Sequence, residues 1–331
     1  MLVSFIIVAY NAEKFLKSSL DCLLKQDYDH KDIEVILVDS DSNDKTKKIM
    51  EDFKKTYKKE FNRTVVLNNP KRTLPCGWNV ALKEVRGDVI LRVDAHTSFK
   101  EDFISNNVTE IKTGEDIVGG KCISIVKNNN WKSNLLLLAE ESIFGCGIAD
   151  FRRKEEREYV STLAFAMYRK EVFDKVGYYN ENLARTEDNE MHYRMKEQGY
   201  KFLLSPNILT YRYARDSFRG MIKQKYGNGK WIGITLKYCP KCFSIYHFIP
   251  FVFVLGILFS IIMAIIGLPI FAYLLFGAYA LFNIVNIVLA SINYKFKLYN
   301  LLLPFVLFVL HFSYGIGTVI GIIKISFFKR I

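Results

Sequence analysis

Asp88-Val89-Ile90-Leu91-Arg92-Val93-Asp94-Ala95-His96 decides the fold. Its aliphatic residues follow one another almost without alternation, as in a strand buried on both faces of a parallel sheet. The run ends on a carboxylate and an imidazole two residues apart. Open α/β sheets bind ligands at the C-terminal edge of their strands. Asp94 and His96 can both reach one cation there, and a hard divalent ion so placed can hold a diphosphate.

The chain before this run repeats the same grammar. Residues 3–8 read as a β-branched strand closed by Tyr10-Asn11, and residues 12–26 carry Phe15, Leu16, Leu20 and Leu23 at helical spacing. A second buried strand, 33–38, ends at Asp39. A polar loop (40–44), a basic helix (45–57), a third strand (64–67) and a helix (76–85) follow. This β-α-β-α-β-α-β order predicts an α/β fold with a mostly parallel sheet wound by right-handed crossovers. Further on, the pattern predicts strands at 117–126 and 162–168. It predicts helices at 131–144, 170–176 and 188–198, the last ended by Gly199. A flexible charged stretch opens at Gly145-Cys146-Gly147 and runs to Glu158.

Half of the 331 residues are hydrophobic, but unevenly so. From His247 onward the chain is almost uniformly apolar, and runs 248–267, 268–292 and 301–323 are each long enough to cross a bilayer. The firm polar break is Asn293-Tyr294-Lys295-Phe296-Lys297. The expected organisation is therefore a cytoplasmic α/β domain over 1–214, a basic amphipathic juxtamembrane segment over 215–246, and an anchor of about three helices over 247–331. The net charge is +12, and Arg212, Arg215, Arg219, Lys223, Lys225, Lys230, Lys237 and Lys241 crowd before the first apolar run. That position suits anionic lipid headgroups on the cytoplasmic face. No nucleic-acid motif accompanies the charge, so nucleic acid is not an expected partner. Residues 2–9 are too short and lack the basic flank of a signal peptide, which predicts a cytoplasmic N-terminal domain whose six cysteines are free thiols. Cys239 and Cys242 form a lone CxxC without the further ligands zinc needs. Three crossings put Lys295 and Lys297 inside but Lys324, Lys329 and Arg330 outside, against the positive-inside rule. One of the runs being re-entrant or interfacial stays open.

Three further groups carry chemistry. Asp39 ends the second strand, followed by Ser40, Asp41, Ser42, Asn43 and Asp44. Its carboxylate can accept a nucleobase N–H, while the loop bonds a ribose or caps the next helix. The turn after strand one, Ala9-Tyr10-Asn11-Ala12, is not a glycine-rich phosphate loop, and Gly145-Cys146-Gly147 lacks a third glycine. Rossmann and P-loop sites are thereby disfavoured, and a bound diphosphate must find its counter-charge at Asp94 and His96. Glu187-Asp188 opens a helix whose dipole favours carboxylates. It is either a cap or a general base for an acceptor hydroxyl. His192 lies one turn on. Gln224-Lys225-Tyr226-Gly227-Asn228-Gly229-Lys230-Trp231 combines cations, an aromatic platform and two flexible glycines, and Lys230 can neutralise a leaving diphosphate. Trp231 can stack on a sugar or anchor at the bilayer interface.

In this order the motifs resemble those of inverting family-2 glycosyltransferases with a GT-A fold, over about residues 1–235. Val3-Ser4-Phe5-Ile6-Ile7-Val8-Ala9-Tyr10-Asn11 is similar to that family's opening strand. Glu34-Val35-Ile36-Leu37-Val38-Asp39-Ser40-Asp41-Ser42-Asn43-Asp44 is similar to its nucleoside strand and loop. Trp78-Asn79 with Ala81 resembles the stretch before its metal strand. Asp94-Ala95-His96 stands in the place of its Asp-x-Asp, and Thr186-Glu187-Asp188 matches its base motif. The likeness is stronger to membrane-bound bacterial exopolysaccharide transferases of the succinoglycan-biosynthesis type. Those share an Asp-Ala-His, a segment like Phe144-Gly145-Cys146-Gly147, and one like Gln224…Tyr226-Gly227.

The resemblance implies that Asp39 binds the uracil of a UDP-sugar. It implies that Asp94 and His96 hold Mg²⁺ or Mn²⁺, and that Asp188 is the base with Glu187 in support. Ala9, Tyr10, Asn11, Asp41, Lys71, Asn79, Gln224, Lys230 and Trp231 complete the expected donor contacts. His96 replaces the usual second Asp, which softens the site toward Mn²⁺. Gln224…Lys230-Trp231 only loosely resembles the motif of processive synthases, which favours a single addition. The expected activity is transfer of one hexose from a UDP-sugar to a lipid-linked saccharide, in bacterial exopolysaccharide or surface glycan synthesis. The expected place is the cell (inner) membrane, multi-pass, beside other glycan-assembly enzymes. Two rivals are a polyprenyl-phosphate sugar transferase and a non-catalytic, membrane-tethered sugar-nucleotide-binding protein. A chain cut after about residue 245 is expected to stay soluble and bind UDP.

Overall fold

The structure is a computed structural model that describes residues 1–142 and 150–327. The segment Phe144-Gly145-Cys146-Gly147 lies outside the described residues. The strands are β1 Val3–Ala9, β2 Ile33–Asp39, β3 Arg63–Asn68, β4 Val89–Asp94, β5 Thr97–Phe99, β6 Ile117–Ile125, β7 Glu158–Val160, β8 Met167–Arg169 and β9 Phe202–Tyr213. The helices are α1 Leu16–Leu24, α2 Thr46–Tyr57, α3 Leu74–Leu82, α4 Phe103–Lys112, α5 Trp131–Glu141, α6 Asp150–Arg153, α7 Lys170–Val176, α8 Glu187–Glu197, α9 Phe218–Thr235, α10 Ile249–Ile265, α11 Ile270–Tyr294 and α12 Leu303–Phe327.

The chain forms two compact units, Met1–Ile123 with Ala149–Tyr213, and Ser124–Ile148 with Ala214–Ile331. The first holds a sheet in the order β3-β2-β1-β4-β8-β6-β9-β5, with β7 beside β9. Strands β3, β2, β1 and β4 are parallel, and β8 joins β4 antiparallel. This is the GT-A arrangement, a mostly parallel sheet between helices. The apolar strands serve two cores at once. Phe5, Ile7, Leu91 and Val93 enter the core on one face, with α1, α2 and α4, while Ile6, Val8 and Ile90 enter the other, with α3, α7 and α8. Alternation of side chains across a strand makes both assignments necessary.

The register sets the functional edge. Ala9 pairs with Asp39, Asp39 with Asn68, and Val8 with Asp94. The ends of four neighbouring strands thus bring Asp94, Ala9, Asp39 and Asn68 to one rim.

Two sequence expectations need correction. Residues 162–168 do not form one strand: the strand is Met167–Arg169, and Phe165 takes a left-handed φ of 52° that extended backbone cannot continue. The glycines at 227 and 229 are not a flexible loop, for both lie inside α9. The long strand β9 was not foreseen, because Ser205-Pro206-Asn207 reads as a break.

The second unit is helical. Ile245–Ile265, Ile270–Tyr294 and Leu298–Ile325 are long and apolar enough to cross a membrane. Gly267, at φ 89°, and Pro269 end α10 and start α11, which divides one apolar run into two helices. A separate core joins Leu135, Leu136 and Leu138 of α5 to Met221 of α9 and to Leu303, Val306, Leu307 and Leu310.

Candidate active site

Asp39 is buried at the end of β2. Its Oδ2 accepts from the Ser42 amide at 3.3 Å, and its Oδ1 is buried without a partner among the described residues. A buried carboxylate oxygen left open at a strand end suits a ligand N–H. The loops after β1 and β2 are knitted together. The Asn11 amide donates to Ser42 Oγ (3.0 Å) and the Asn43 amide to Asn11 Oδ1 (2.9 Å). Asn11 is left-handed at φ 49°, which turns the chain away from β1 and leaves Tyr10 exposed beside the rim. Other expected donor contacts have structural duties. Asp41 receives two bonds from Arg72, and Lys71 pairs with Glu181 at 2.6 Å. The Asn79 amide binds the backbone of Tyr179 and the carboxylate of Glu181, so it braces the site from beneath.

Asp94 ends β4 and His96 lies in the turn to β5, both half-buried. Among the described residues neither side chain has a hydrogen-bond partner, and no group of three or more metal-ligating side chains occurs. Two protein donors on an open rim fit a divalent ion that takes its other ligands from a diphosphate and water. Such an ion would also offset the repulsion that Asp94 exerts on Glu187.

The third component is an ion pair under the start of α8. Arg92 points into the core from β4, its guanidinium over Trp78 (4.7 Å to the ring centroid) and Tyr179 (5.5 Å). It donates to Tyr179 Oη at 2.6 Å and to both oxygens of Asp188 at 2.5 and 2.8 Å. Burial raises the Asp188 carboxyl, but Arg92 opposes it and holds the group below its ordinary value. The Asp188 side chain is nonetheless 41% exposed. Glu187 beside it is buried, with Oε2 unpartnered among the described residues. Burial, then the charge of Asp188, pushes its carboxyl up to about 8. Two adjacent carboxylates therefore differ in kind, one ionised and oriented, the other mostly neutral at pH 7. His192 is buried, meets Thr162 Oγ1 (2.7 Å) and Tyr168 Oη (3.1 Å), and is pushed down to about 4 by burial. It is a neutral core residue.

The profile of "Glycosyl transferase family 2" matches residues 4–177, more than half of the chain, a stretch that holds Asp39, Arg92, Asp94 and His96. The chain belongs to glycosyltransferase family 2. It is an enzyme that transfers a sugar from a nucleotide sugar. A curated relative, the dolichyl N-acetyl-alpha-D-glucosaminyl phosphate 3-beta-D-2,3-diacetamido-2,3-dideoxy-beta-D-glucuronosyltransferase of Methanococcus voltae, is 28% identical over 97% of both chains. The succinoglycan biosynthesis protein ExoA of Rhizobium meliloti is 27% identical over 59% of this chain and 58% of its own. Among solved structures, the mannosyltransferase PcManGT of Pyrobaculum calidifontis, in complex with GDP-Man and Mn²⁺, aligns with 99% of this chain and 88% of its own. Its TM-score is 0.64 at 16% identity, a likeness of fold.

Arg92 was missed by sequence reading of this glycosyltransferase. A charge within an apolar strand run, two residues before Asp94, was the available signal. Gln224, Lys230 and Trp231 lie on α9 in the second unit. Lys230 is pushed down by burial and by Lys324.

Proposed function

We propose that this chain is a metal-dependent inverting hexosyltransferase that adds one sugar from a UDP-sugar to a lipid-linked saccharide. Its proposed place is the cell membrane, with the catalytic domain in the cytoplasm, in surface glycan assembly. The observation that carries the reading is the partly exposed carboxylate of Asp188, held at both oxygens by Arg92, which precedes Asp94 by two residues on β4. Asp39 accepts the uracil N–H through its open Oδ1, and the Asn11–Ser42 loop contacts meet the ribose. Asp94 and His96 would hold Mg²⁺ or Mn²⁺, which supplies charge neutralisation of the diphosphate. The acceptor hydroxyl attacks the anomeric carbon from the face opposite the leaving group. The bond from that carbon to the diphosphate oxygen breaks, UDP leaves with the electron pair, and Asp188 takes the hydroxyl proton. Arg92 fixes the carboxylate for that transfer.

A saccharide hydroxyl is favoured over a bare lipid phosphate because the Methanococcus relative, similar over its full length, is named for action at a lipid-phosphate-linked sugar. A phosphate acceptor would also have little use for an oriented base. The test is to incubate membranes holding the full chain with a panel of UDP-sugars and either a lipid-linked saccharide or the bare polyprenyl phosphate. Release of UDP only with the saccharide is expected. Release with the bare phosphate alone would overturn the acceptor class.

A further inference from the structure

Helices α9 and α12 run side by side in the same direction. Phe218 stacks on Phe305 at one end, with ring centroids 6.2 Å apart. Further along, the backbones touch. A Cβ on Gly229 would stand 2.0 Å from the Tyr314 carbonyl oxygen, one on Gly317 2.2 Å from that of Tyr226, and one on Gly321 2.2 Å from that of Lys230. Gly229/Gly233 and Gly317/Gly321 are thus facing pairs of small residues four apart, which is what lets two helices approach so closely. A helix held this tightly shares the depth of its neighbour. Along the same length α9 carries Arg219, Lys223, Lys225 and Lys230. Were α12 to cross the bilayer, these cations would cross with it, which spanning segments avoid.

The ring contacts and the closest backbone approach between α12 and the hairpin of α10 and α11 fall at one level. Phe308 meets Phe253 and Tyr279, His311 meets Tyr279 and Phe282, and Gly315 abuts the Pro250 carbonyl. From Phe308 to Gly315 the helix advances about 10 Å at 1.5 Å per residue. Its partners on α10 stay within the one turn from Pro250 to Val254. A helix lying along α10 would advance its contacts equally on both, so α12 crosses the base of the hairpin at a steep angle. Above that level α10 and α11 pair with each other, through Gly256 against Leu275 and Phe259 against Phe271. Their outer faces, such as Leu258, Ile262 and Leu274, are exposed.

We propose that only α10 and α11 cross the bilayer, with Gly267-Leu268-Pro269 at the far tip. In this arrangement α12 lies on the cytoplasmic surface of the membrane with α9 along it. Leu301, Leu302, Phe305 and Phe312, exposed on α12 and the turn before it, enter the acyl boundary, and the surrounding lysines and arginines meet anionic headgroups. Two crossings return Lys295, Lys297 and Lys324 to one side, the side of Arg219 and Lys223, so these cations meet the positive-inside rule.

The test reads topology alone, so its outcome is separate from that of the transferase reading. Green fluorescent protein, which folds only in the cytoplasm, and alkaline phosphatase, active only outside, are fused in a bacterial host after residue 331 of the full chain. The same reporters are fused in a second pair after residue 267. Fluorescence without phosphatase activity is expected after 331, and phosphatase activity without fluorescence after 267. Phosphatase activity after 331 means three crossings and overturns the proposal. Fluorescence after 267 overturns it as well, since the hairpin would not cross.

Discussion

Arg92 grips both carboxylate oxygens of Asp188, at 2.5 and 2.8 Å, from a guanidinium that is itself buried between Trp78 and Tyr179. The pair joins β4, whose next-but-one residue is Asp94, to the N-terminus of α8. Asp94, the proposed cation ligand, and Asp188, the proposed base, are therefore both positioned from β4, one directly and one through Arg92. A fork–fork pair fixes a carboxylate in two dimensions, which a single bond does not.

Replacing that fork tests its role. Arg92→Lys keeps the charge but loses the bidentate geometry and the stacking. Its kcat is expected to fall by about 10–100-fold, less than the roughly 10²–10⁴-fold a positioned base contributes because the carboxylate itself remains, while KM for the donor stays within about twofold. Arg92→Met leaves Asp188 without its partner and is expected to destabilise the fold by about 1–3 kcal/mol, less than for a fully buried pair because water reaches the Asp188 side chain. Steady-state kinetics and thermal unfolding of the detergent-solubilised protein measure both. A lysine variant with kcat intact and KM raised would assign Arg92 to donor binding instead.

How far the sequence discloses this site depends on locality. The rim residues Asp39, Asp94 and His96 end apolar runs, so a strand pattern places them without knowledge of any contact. Arg92, Trp78, Tyr179 and Asp188 are brought together across nearly a hundred residues by packing, and no local pattern contains that. Asn79 and Lys71 are motif residues whose partners, Tyr179 and Glu181, are equally distant. Pro206 hid β9, and a pair of glycines hid α9, because close helix packing and a flexible loop demand the same residue.

The pH dependence of stability follows from two buried groups with opposite signs. His192 is neutral in the folded chain down to about 4 but titrates near 6.5 when unfolded, so it removes stability as pH falls from about 6.5 to 4. Glu187 stays protonated when folded up to about 8 but ionises near 4.5 when unfolded, so it removes stability as pH rises from about 4.5 to 8. Between pH 5 and 6.5 the two slopes oppose each other, and the intact protein is expected to be nearly flat there. Glu187→Gln removes one slope. That variant should lose stability on acidification below 6.5 and become level between 6.5 and 8, read as the unfolding midpoint across buffers. Parallel profiles for the variant and the intact protein would refute the raised Glu187 carboxyl.

Donor binding is expected to need a divalent metal, since among the described residues the rim offers only Asp94 and His96 as metal-ligating side chains and no glycine-rich phosphate loop. Calorimetry of UDP binding with Mn²⁺ and with EDTA measures it; equal affinity in both would remove the metal. His96→Asp exchanges a nitrogen ligand for a hard oxygen and is expected to shift preference from Mn²⁺ toward Mg²⁺. An unchanged metal profile would exclude His96 as a ligand.

The soluble fragment expected from sequence, ending near residue 245, conflicts with the packing. Met221 of α9 and Leu135, Leu136 and Leu138 of α5 share their core with Leu303, Val306, Leu307 and Leu310 of α12. A cut at 245 uncovers that core, and an exposed apolar surface of this kind leads to association. The fragment is expected to aggregate or stay in the detergent phase. Deleting only the distal hairpin, residues 255–278, with a short polar linker, is expected to give a more soluble protein that still binds UDP. Size-exclusion chromatography compares the two, and a monodisperse fragment ending at 245 would show that α12 is dispensable.

Asp188→Asn separates base from brace. The amide keeps the size of the carboxylate and one acceptor for Arg92, but it cannot take the hydroxyl proton. Loss of a positioned base is expected to lower turnover by about 10²–10⁴-fold. UDP-sugar affinity should stay near its original value, because Asp39, Asp94 and His96 are untouched. The Arg92 guanidinium keeps a neutral partner, so part of the ion pair's contribution goes and thermal stability falls measurably. A structural role for Asp188 would therefore move stability alone. Single-turnover rates at saturating donor, beside the unfolding midpoint, distinguish the cases. Near-normal transfer from a less stable Asp188→Asn protein would make the pair a brace for α8, and it would return the polyprenyl-phosphate acceptor, which needs little base, to first place.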